Sequence, residues 1–462
     1  MPQSLFAAAL PAIDGEVLTS EAHLAAAAQD WGHIVQARPV AVVRPASAAD
    51  VAAVVSFAAE HDIPVTARGA GHSPFGQGQA AGGIVLDMTS LAHVHAGSGN
   101  ALVVDAGARW QQVLAATLPH GLTPPVLTDY LELTVGGTLA VGGVGGASHH
   151  HGAQTDTVTE LEVVTGTGEL VRCSTEDNRE LFDAVRAGLG QCGIVTRATV
   201  RLQPARQRAR RWKLYYDALG DFLTDQRSAV TEGRFDYLEG QLVLDDETGK
   251  WRYLLEATTY FSLPDEPDEQ ALLGDLSFDQ DTVETEDTTY HGFLDRMAEG
   301  ETVLREAGSW FHPHPWLNVF VPDEEVESVV AEALAGVTGA DLGDSGLVML
   351  YPLRRDRMTT PLLRLPAGDI VWLFAILRTG KPYDPAGVAR MMQLNADLFA
   401  RVKASGGTVY PVNALPMTVK DWQDHFGDAW DTLESAKRRY DPAGVLTPGQ
   451  GMFESTTSRF PD

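Results

Sequence analysis

A glycine-dense loop, Arg68-Gly69-Ala70-Gly71-His72-Ser73 continued by Gly76-Gln77-Gly78, sets the terms for the first lobe of this chain. Glycine adopts positive φ at little cost, so alternating glycines let successive backbone N–H groups curl into a nest that fits a diphosphate. The residues ahead of the loop place it at a strand end. Pro39 to Pro45 is β-rich, Ser47 to Glu60 carries apolar residues at helical spacing, and Ile63 to Ala67 is again extended. Ser47 followed by Asp50 reads as a helix cap with an acid in the first turn. Gly83–Met88 and Ala101–Ala106 read as further strands and Trp110–Leu118 as a helix, which gives an α/β or α+β lobe with a ligand loop. A nucleotide cofactor follows from the loop, although the same glycines also suit an exposed turn.

At about 150 residues per domain, 462 residues predict two or three lobes. The excess of 62 acidic over 34 basic side chains gives a net charge of -28, a field that repels phosphate backbones and anionic lipid, so neither a nucleic acid nor a membrane partner is expected. Cys173 and Cys192 are too few for a disulfide framework or a cysteine-built zinc site and read as reduced core residues. The apolar stretch Leu5–Ala12 has no Lys or Arg before it, unlike a signal peptide, and no apolar run approaches the ~18 residues of a membrane span. The expectation is a soluble, cytoplasmic protein acting on a small molecule.

Thr157–Val164 and Glu169–Cys173 read as a hairpin, and Gly193–Leu202 as another strand. At Pro204 the composition shifts to the basic run Ala205–Arg211, read as a solvated linker at a domain boundary. Phe235–Leu244 and Trp251–Ala257 read as strands of the second lobe, and acidic Pro264–Asp287 as a surface excursion. A second glycine cluster runs from Thr134 to Gly146, but Gly143-Val144-Gly145 is followed by Gly146-Ala147-Ser148, so the dinucleotide fingerprint fails and the cluster reads as a second nest. His149, His150 and His151 are consecutive and cannot converge on one ion, so no metal is expected. A nucleophilic hydrolase is disfavoured because no Gly-x-Ser-x-Gly elbow occurs.

Taken together, Arg68–Gln77, Thr128–Leu139, His151–Gln154, Gly188–Arg197, Asp236–Gly240, Pro313–Pro322 and the ending Tyr440–Gln450 resemble the cytokinin dehydrogenases of the vanillyl-alcohol-oxidase superfamily, whose FAD domain is of the PCMH type. The resemblance implies an α+β, two-lobed flavoprotein. Residues 1–205 would form an FAD-binding domain of two α+β subdomains, 206–446 a substrate domain with a helix-flanked sheet, and 447–462 a segment returning to the first domain. FAD would be the cofactor, linked covalently through His72 to the electrophilic 8α-methyl carbon. Gly69, Ala70, Gly71, Ser73, Gln77, Thr134, Ala140, Val144, Ile194, Tyr410, Thr447 and Gln450 match its other contacts. Glu132 and Leu133 stand where doubly linked members carry a cysteine, so one histidyl link is expected.

Asp129 matches the aspartate that takes the amine proton while flavin N5 takes hydride from the neighbouring carbon. Glu239, Val319 and Arg357 fall near the substrate. Here Tyr351-Pro352-Leu353-Arg354-Arg355-Asp356-Arg357-Met358 lacks a tryptophan that shapes the family's purine pocket, and Tyr410-Pro411-Val412 departs from its usual Tyr-Leu-Pro. Another secondary amine is therefore expected to outperform isopentenyladenine, with Arg354, Arg355 or Arg357 meeting an acidic group on it. Oxygen or a quinone would be the electron acceptor. Oxidation of an alcohol, sugar or secondary metabolite, or mere binding of a small molecule, are the alternatives, and Asp129 beside a flavin histidine favours the amine.

Overall fold

The computed structural model describes residues 10–97, 99–245 and 248–453; Leu5 to Ala9 of the apolar start and residues 454–462 of the expected returning segment lie outside them. Ala41, Val42 and Val43 are all buried, the continuous apolar run of a strand covered on both faces. Their strand, Ala41–Arg44, sits between Glu16–Leu18 and Ile84–Asp87, with Val65–Arg68 at the far edge; the last three strands run parallel. Helix Ala48–Glu60 makes the crossover. Ser47 caps it by accepting from the Asp50 N–H at 3.2 Å, and Val51, Val54, Val55 and Ala58 form its buried stripe. Val65–Arg68 therefore releases the glycine loop at the carboxyl end of a parallel strand, where ligands of open α/β sheets bind.

The second sheet is wholly antiparallel, in the order Ala101–Asp105, Ile194–Arg201, Val158–Val164, Leu170–Ser174. Ile194–Arg201 alternates buried and half-buried residues, and the hairpin at Thr165–Gly168 closes with Gly168 at φ 81°. The second glycine cluster differs from the expected nest. It opens a short helix, Val135–Val141, and two of its amides are already spent: Val135 N–H donates to Ala108 O at 2.9 Å and Gly136 N–H to Ala106 O at 2.7 Å. A nest needs free N–H groups, and these two are taken by the carbonyls just after strand Ala101–Asp105.

The third sheet has eight strands, with Tyr237–Asp245 and Lys250–Phe261 near its middle. The linker expectation fails here, while the acidic excursion stays on the surface. The basic run enters strand Arg208–Tyr216 instead of a solvated linker, and the acidic excursion ends in edge strand Glu284–Thr289, antiparallel to it. Arg210 meets Asp287 at 2.6 Å, Arg211 meets Glu286 at 2.7 Å and Lys213 meets Glu284 at 3.1 Å. Each charge run is the other's cross-strand partner.

The chain comes back to the first sheet at its end. Val65 N–H donates to Val445 O and Thr447 N–H to Val65 O, both at 2.8 Å, and Val445 and Leu446 join the apolar core of Val43, Val55 and Ile84. Buried Asp441 holds this turn: its carboxylate accepts from the N–H groups of Val445 at 3.1 Å and Leu446 at 2.9 Å and pairs with Lys437 of helix Trp430–Tyr440 at 2.6 Å. Among the described residues no helix is long and apolar enough to cross a membrane.

Candidate active site

A long cavity lies where the first two sheets meet the returning end. The loop supplies Gly69, Ala70, Gly71, His72, Ser73 and Gln77, the Val135–Val141 helix and its cap supply Thr134 and Ala140, and Ile194, Thr447 and Gln450 complete the ring of expected cofactor residues. Gly71 has φ 70°, and a Cβ there would stand 2.4 Å from the Arg68 guanidinium. Apolar Met88, Val185, Leu189 and Val412 line the same space. A backbone cradle with apolar walls fits FAD, whose diphosphate needs N–H groups and whose ring needs a dry slot. Leu189 at φ 55° and Thr447 at φ 50° are strained non-glycine positions on this wall, and the Thr447 hydroxyl donates to Gly190 O at 2.9 Å. Val144 and Tyr410 are not on the lining; both are buried, and Tyr410 donates through its hydroxyl to Gly142 O at 3.3 Å.

His72 is enclosed by aromatic rings. Trp31 stacks on it at 4.5 Å between centroids, Tyr130 lies at 5.1 Å, and Trp31 stacks in turn on His314 at 3.9 Å. Burial, helped by the His314 and Arg305 charges, pushes the imidazole down to about 3, so at neutral pH it carries a free lone pair. Asp30 orders the residues after it, accepting from Gly76 N–H at 2.6 Å and from the Ser73 hydroxyl at 3.3 Å.

Asp129 lies in the irregular stretch between Thr123 and Thr134 and belongs to a cluster that the sequence reading only half saw. Tyr237 donates to its Oδ1 at 2.5 Å and Arg296 at 2.8 Å; the same guanidinium nitrogen contacts Tyr237 Oη and lies 3.4 Å from Glu239 Oε2. Tyr237 and Glu239 are two apart on one strand and so share a face. A Cβ at Gly146 would stand 2.5 Å from the Tyr237 ring, so the second glycine cluster clears room for this phenol. Arg296, just ahead of helix Met297–Glu306, stacks over Tyr237 at 4.8 Å and Phe293 at 4.7 Å.

Burial works against the Asp129 charge, but Arg296 and the hydrogen bonds from Glu239 and Tyr237 outweigh it and hold the carboxyl below its usual range. Burial first, then the Asp129 charge, holds Glu239 well above its range, which favours its protonated form. Asp129 is 26% exposed and Glu239 3%, which makes the ionised aspartate the member a ligand can reach.

The other expected site residues stand apart. Val319 is fully buried on strand Trp316–Pro322, opposite Val409 and Phe374. That strand braces the cofactor wall from behind, since Asn318 donates to Val412 O and accepts from Tyr410 N–H at 3.0 Å. The Arg354–Arg357 cluster is not brought to Asp129. Arg354 pairs with Asp356 at 2.8 Å, and Arg357, with 47% of its side chain exposed, lies 3.7 Å from the same carboxylate. The histidine run is structural, with both His149 ring nitrogens on the Gly146 and Phe235 carbonyls at 2.7 and 3.0 Å. Arg296 escaped the sequence reading altogether, because nothing local marks a residue whose partner lies 167 positions away.

Residues 39–174 match the FAD binding domain family, and residues 244–453 match the family described as cytokinin dehydrogenase 1, FAD and cytokinin binding. The chain is 44% identical to an uncharacterized oxidoreductase of the fasciation locus of Rhodococcoides fascians, over 94% of this chain and 98% of that one. It is 38% identical to cytokinin dehydrogenase 7 of Oryza sativa subsp. japonica, covering 94% and 90%, and 34% identical to cytokinin dehydrogenase 5 of Arabidopsis thaliana, covering 97% and 91%. The fold is shared with 6-hydroxy-D-nicotine oxidase from Arthrobacter nicotinovorans at a TM-score of 0.74 and 22% identity, covering 94% and 96%. With its α+β architecture, its FAD cradle and these relatives, the chain belongs to the cytokinin dehydrogenase family of FAD-dependent oxidoreductases.

Proposed function

We propose that this chain oxidises a cytokinin-like secondary amine, with Asp129 accepting the amine proton. When bound, FAD supplies the hydride acceptor. The observation that carries the reading is the Asp129 cluster, in which one reachable carboxylate meets Arg296 at 2.8 Å and Tyr237 at 2.5 Å, contacts that favour its ionised form, beside the buried Glu239, whose burial favours the proton. Asp129 is thus ready to take a proton from nitrogen. Tyr237 is not, because burial first and also the Asp129 charge, opposed by Arg296, push its phenol well up and leave it a donor. That favours an amine over an alcohol, whose oxidation in the vanillyl-alcohol-oxidase superfamily commonly uses a tyrosine base.

Neutral His72 is the residue we assign to the single covalent flavin bond, through its free lone pair. In the same reading residues 1–205 and 447–462 hold the flavin, 206–446 supply the substrate side, and oxygen or a quinone takes the electrons. A cytoplasmic location goes with the thiols of Cys173 and Cys192, free and raised by burial to about 12.

Anaerobic bleaching of the flavin across isopentenyladenine, other secondary amines and primary alcohols tests the substrate class. Amines should bleach it and alcohols should not, with an amine other than isopentenyladenine fastest; bleaching by alcohols alone would overturn the reading. Acid precipitation tests the link: wild type should give a yellow pellet, and His72→Ala should release all its FAD into the supernatant. A colourless wild-type pellet would refute the covalent bond.

A further inference from the structure

We infer that Arg296 is a positioning residue for proton transfer: its guanidinium holds Asp129 in the ionised, accepting form and thereby sets the pH below which substrate oxidation fails. The inference rests on the amine reading above and adds a residue and a pH dependence to it.

The geometry separates this contact from a surface ion pair. Arg296 is 15% exposed, is held between the Tyr237 and Phe293 rings, and reaches Asp129 Oδ1 at 2.8 Å while also touching Tyr237 Oη and Glu239. Such a pair is weakly screened by solvent, unlike exposed pairs. Two carboxyls share one guanidinium. With a proton on Glu239 the group is neutral, which is the state an enclosed cluster favours.

The remaining groups facing Asp129 cannot replace that charge. Tyr237 and Glu239 come from strand Tyr237–Asp245, Tyr260 from Lys250–Phe261, and Tyr351 from Leu347–Arg354; all are phenols or acids, and Glu256, also of Lys250–Phe261, acts on Arg296. Without Arg296, only the hydrogen bonds from Tyr237 and Glu239 oppose burial, and the affinity of Asp129 for a proton rises. In the reaction the amine N–H bond breaks and an O–H bond forms on Asp129, while the nitrogen lone pair becomes the second C–N bond as hydride leaves the neighbouring carbon for the flavin. An aspartate already protonated cannot take part, so the rate falls about tenfold for each pH unit below its pKa.

The test uses holoenzyme, isopentenyladenine as the probe amine, and anaerobic stopped-flow bleaching from pH 5 to 9. Arg296→Gln should lose rate about tenfold per pH unit on the acid side, across a range where wild type is flat, and converge on wild type near pH 9; Arg296→Lys should restore the flat profile. Infrared difference titration of the substrate-free proteins, with the Asp129 band assigned by its loss in Asp129→Asn, should show that carboxyl protonating at higher pH in Arg296→Gln. Equal slowing of Arg296→Gln at every pH, or an unmoved Asp129 band, would overturn the inference. Asp129→Asn separates the two levels: a wild-type bleaching rate in that variant refutes the amine mechanism itself, whereas a slow Asp129→Asn beside a pH-parallel Arg296→Gln refutes only the role of Arg296.

Discussion

Glu239 and Asp129 are both carboxyls, yet their surroundings drive them to opposite protonation states, and substitutions should reveal it. Burial and the Asp129 charge favour the protonated form of Glu239, and Glu239→Gln retains that charge state and most hydrogen bonds. Its flavin reduction should stay within about tenfold of wild type, whereas Glu239→Ala, which leaves Arg296 and Asp129 short of a buried partner, should lose about 10². Stopped-flow reduction of the two variants checks this, and equal losses would contradict a protonated Glu239. Asp129 and Glu239 were legible because each sits in a long family-like block, while Tyr237 was not singled out, although the alternation in Asp236-Tyr237-Leu238-Glu239 puts it on one strand face with Glu239. Arg296 was not legible, since only the fold brings it to partners 57, 59 and 167 positions away.

Elements were readable where the signal was local and misread where a distant partner decided. Helix Ala48–Glu60, the strands around it and the glycine loop follow from periodicity, a cap and glycine spacing. The basic run looked like a solvated linker because it was weighed without the acidic run, which stays on the surface but pairs with it across the sheet edge. The glycine loop carries its own pH dependence through Asp30. Burial, opposed by the Gly76 hydrogen bond and the Arg68 charge, raises this carboxyl to about 6, above the ~3.9 of an unfolded aspartate. Between these values the folded state binds more protons than the unfolded one, so this group's contribution to stability declines as pH rises from 4 to 6, by about 2 to 3 kcal/mol. Asp30→Asn should remove that decline, read as the difference between urea unfolding of variant and wild type at pH 4.5 and 7. A difference independent of pH would contradict it.

At the scale of the whole molecule the cofactor cavity is closed by residues from both ends of the chain, and the Lys437–Asp441 pair fastens the closure. Asp441 is wholly buried and Lys437 is 8% exposed; with Gln191 O at 3.0 Å from the ammonium, the pair ties the returning segment to the cavity loop that holds Leu189 and Gly190. Breaking a buried pair from one side costs about 3 to 5 kcal/mol. Asp441→Ala should lower stability by that amount and weaken FAD retention, because Thr447 and Gln450 follow directly; thermal unfolding with and without added FAD measures both, and a loss under about 1 kcal/mol would contradict the fastening role. The family architecture was legible because its motifs are long and ordered along the chain, while the contact of Arg357 with Asp356, an acid of its own loop, was not weighed in the sequence. All of these elements serve one claim, that an ionised Asp129 takes the amine proton as hydride leaves. The most direct measurement is the anaerobic reduction rate of Asp129→Asn holoenzyme with its best amine. The account predicts a rate about 10²- to 10⁴-fold below wild type with FAD content and fold intact, and an unchanged rate would contradict it.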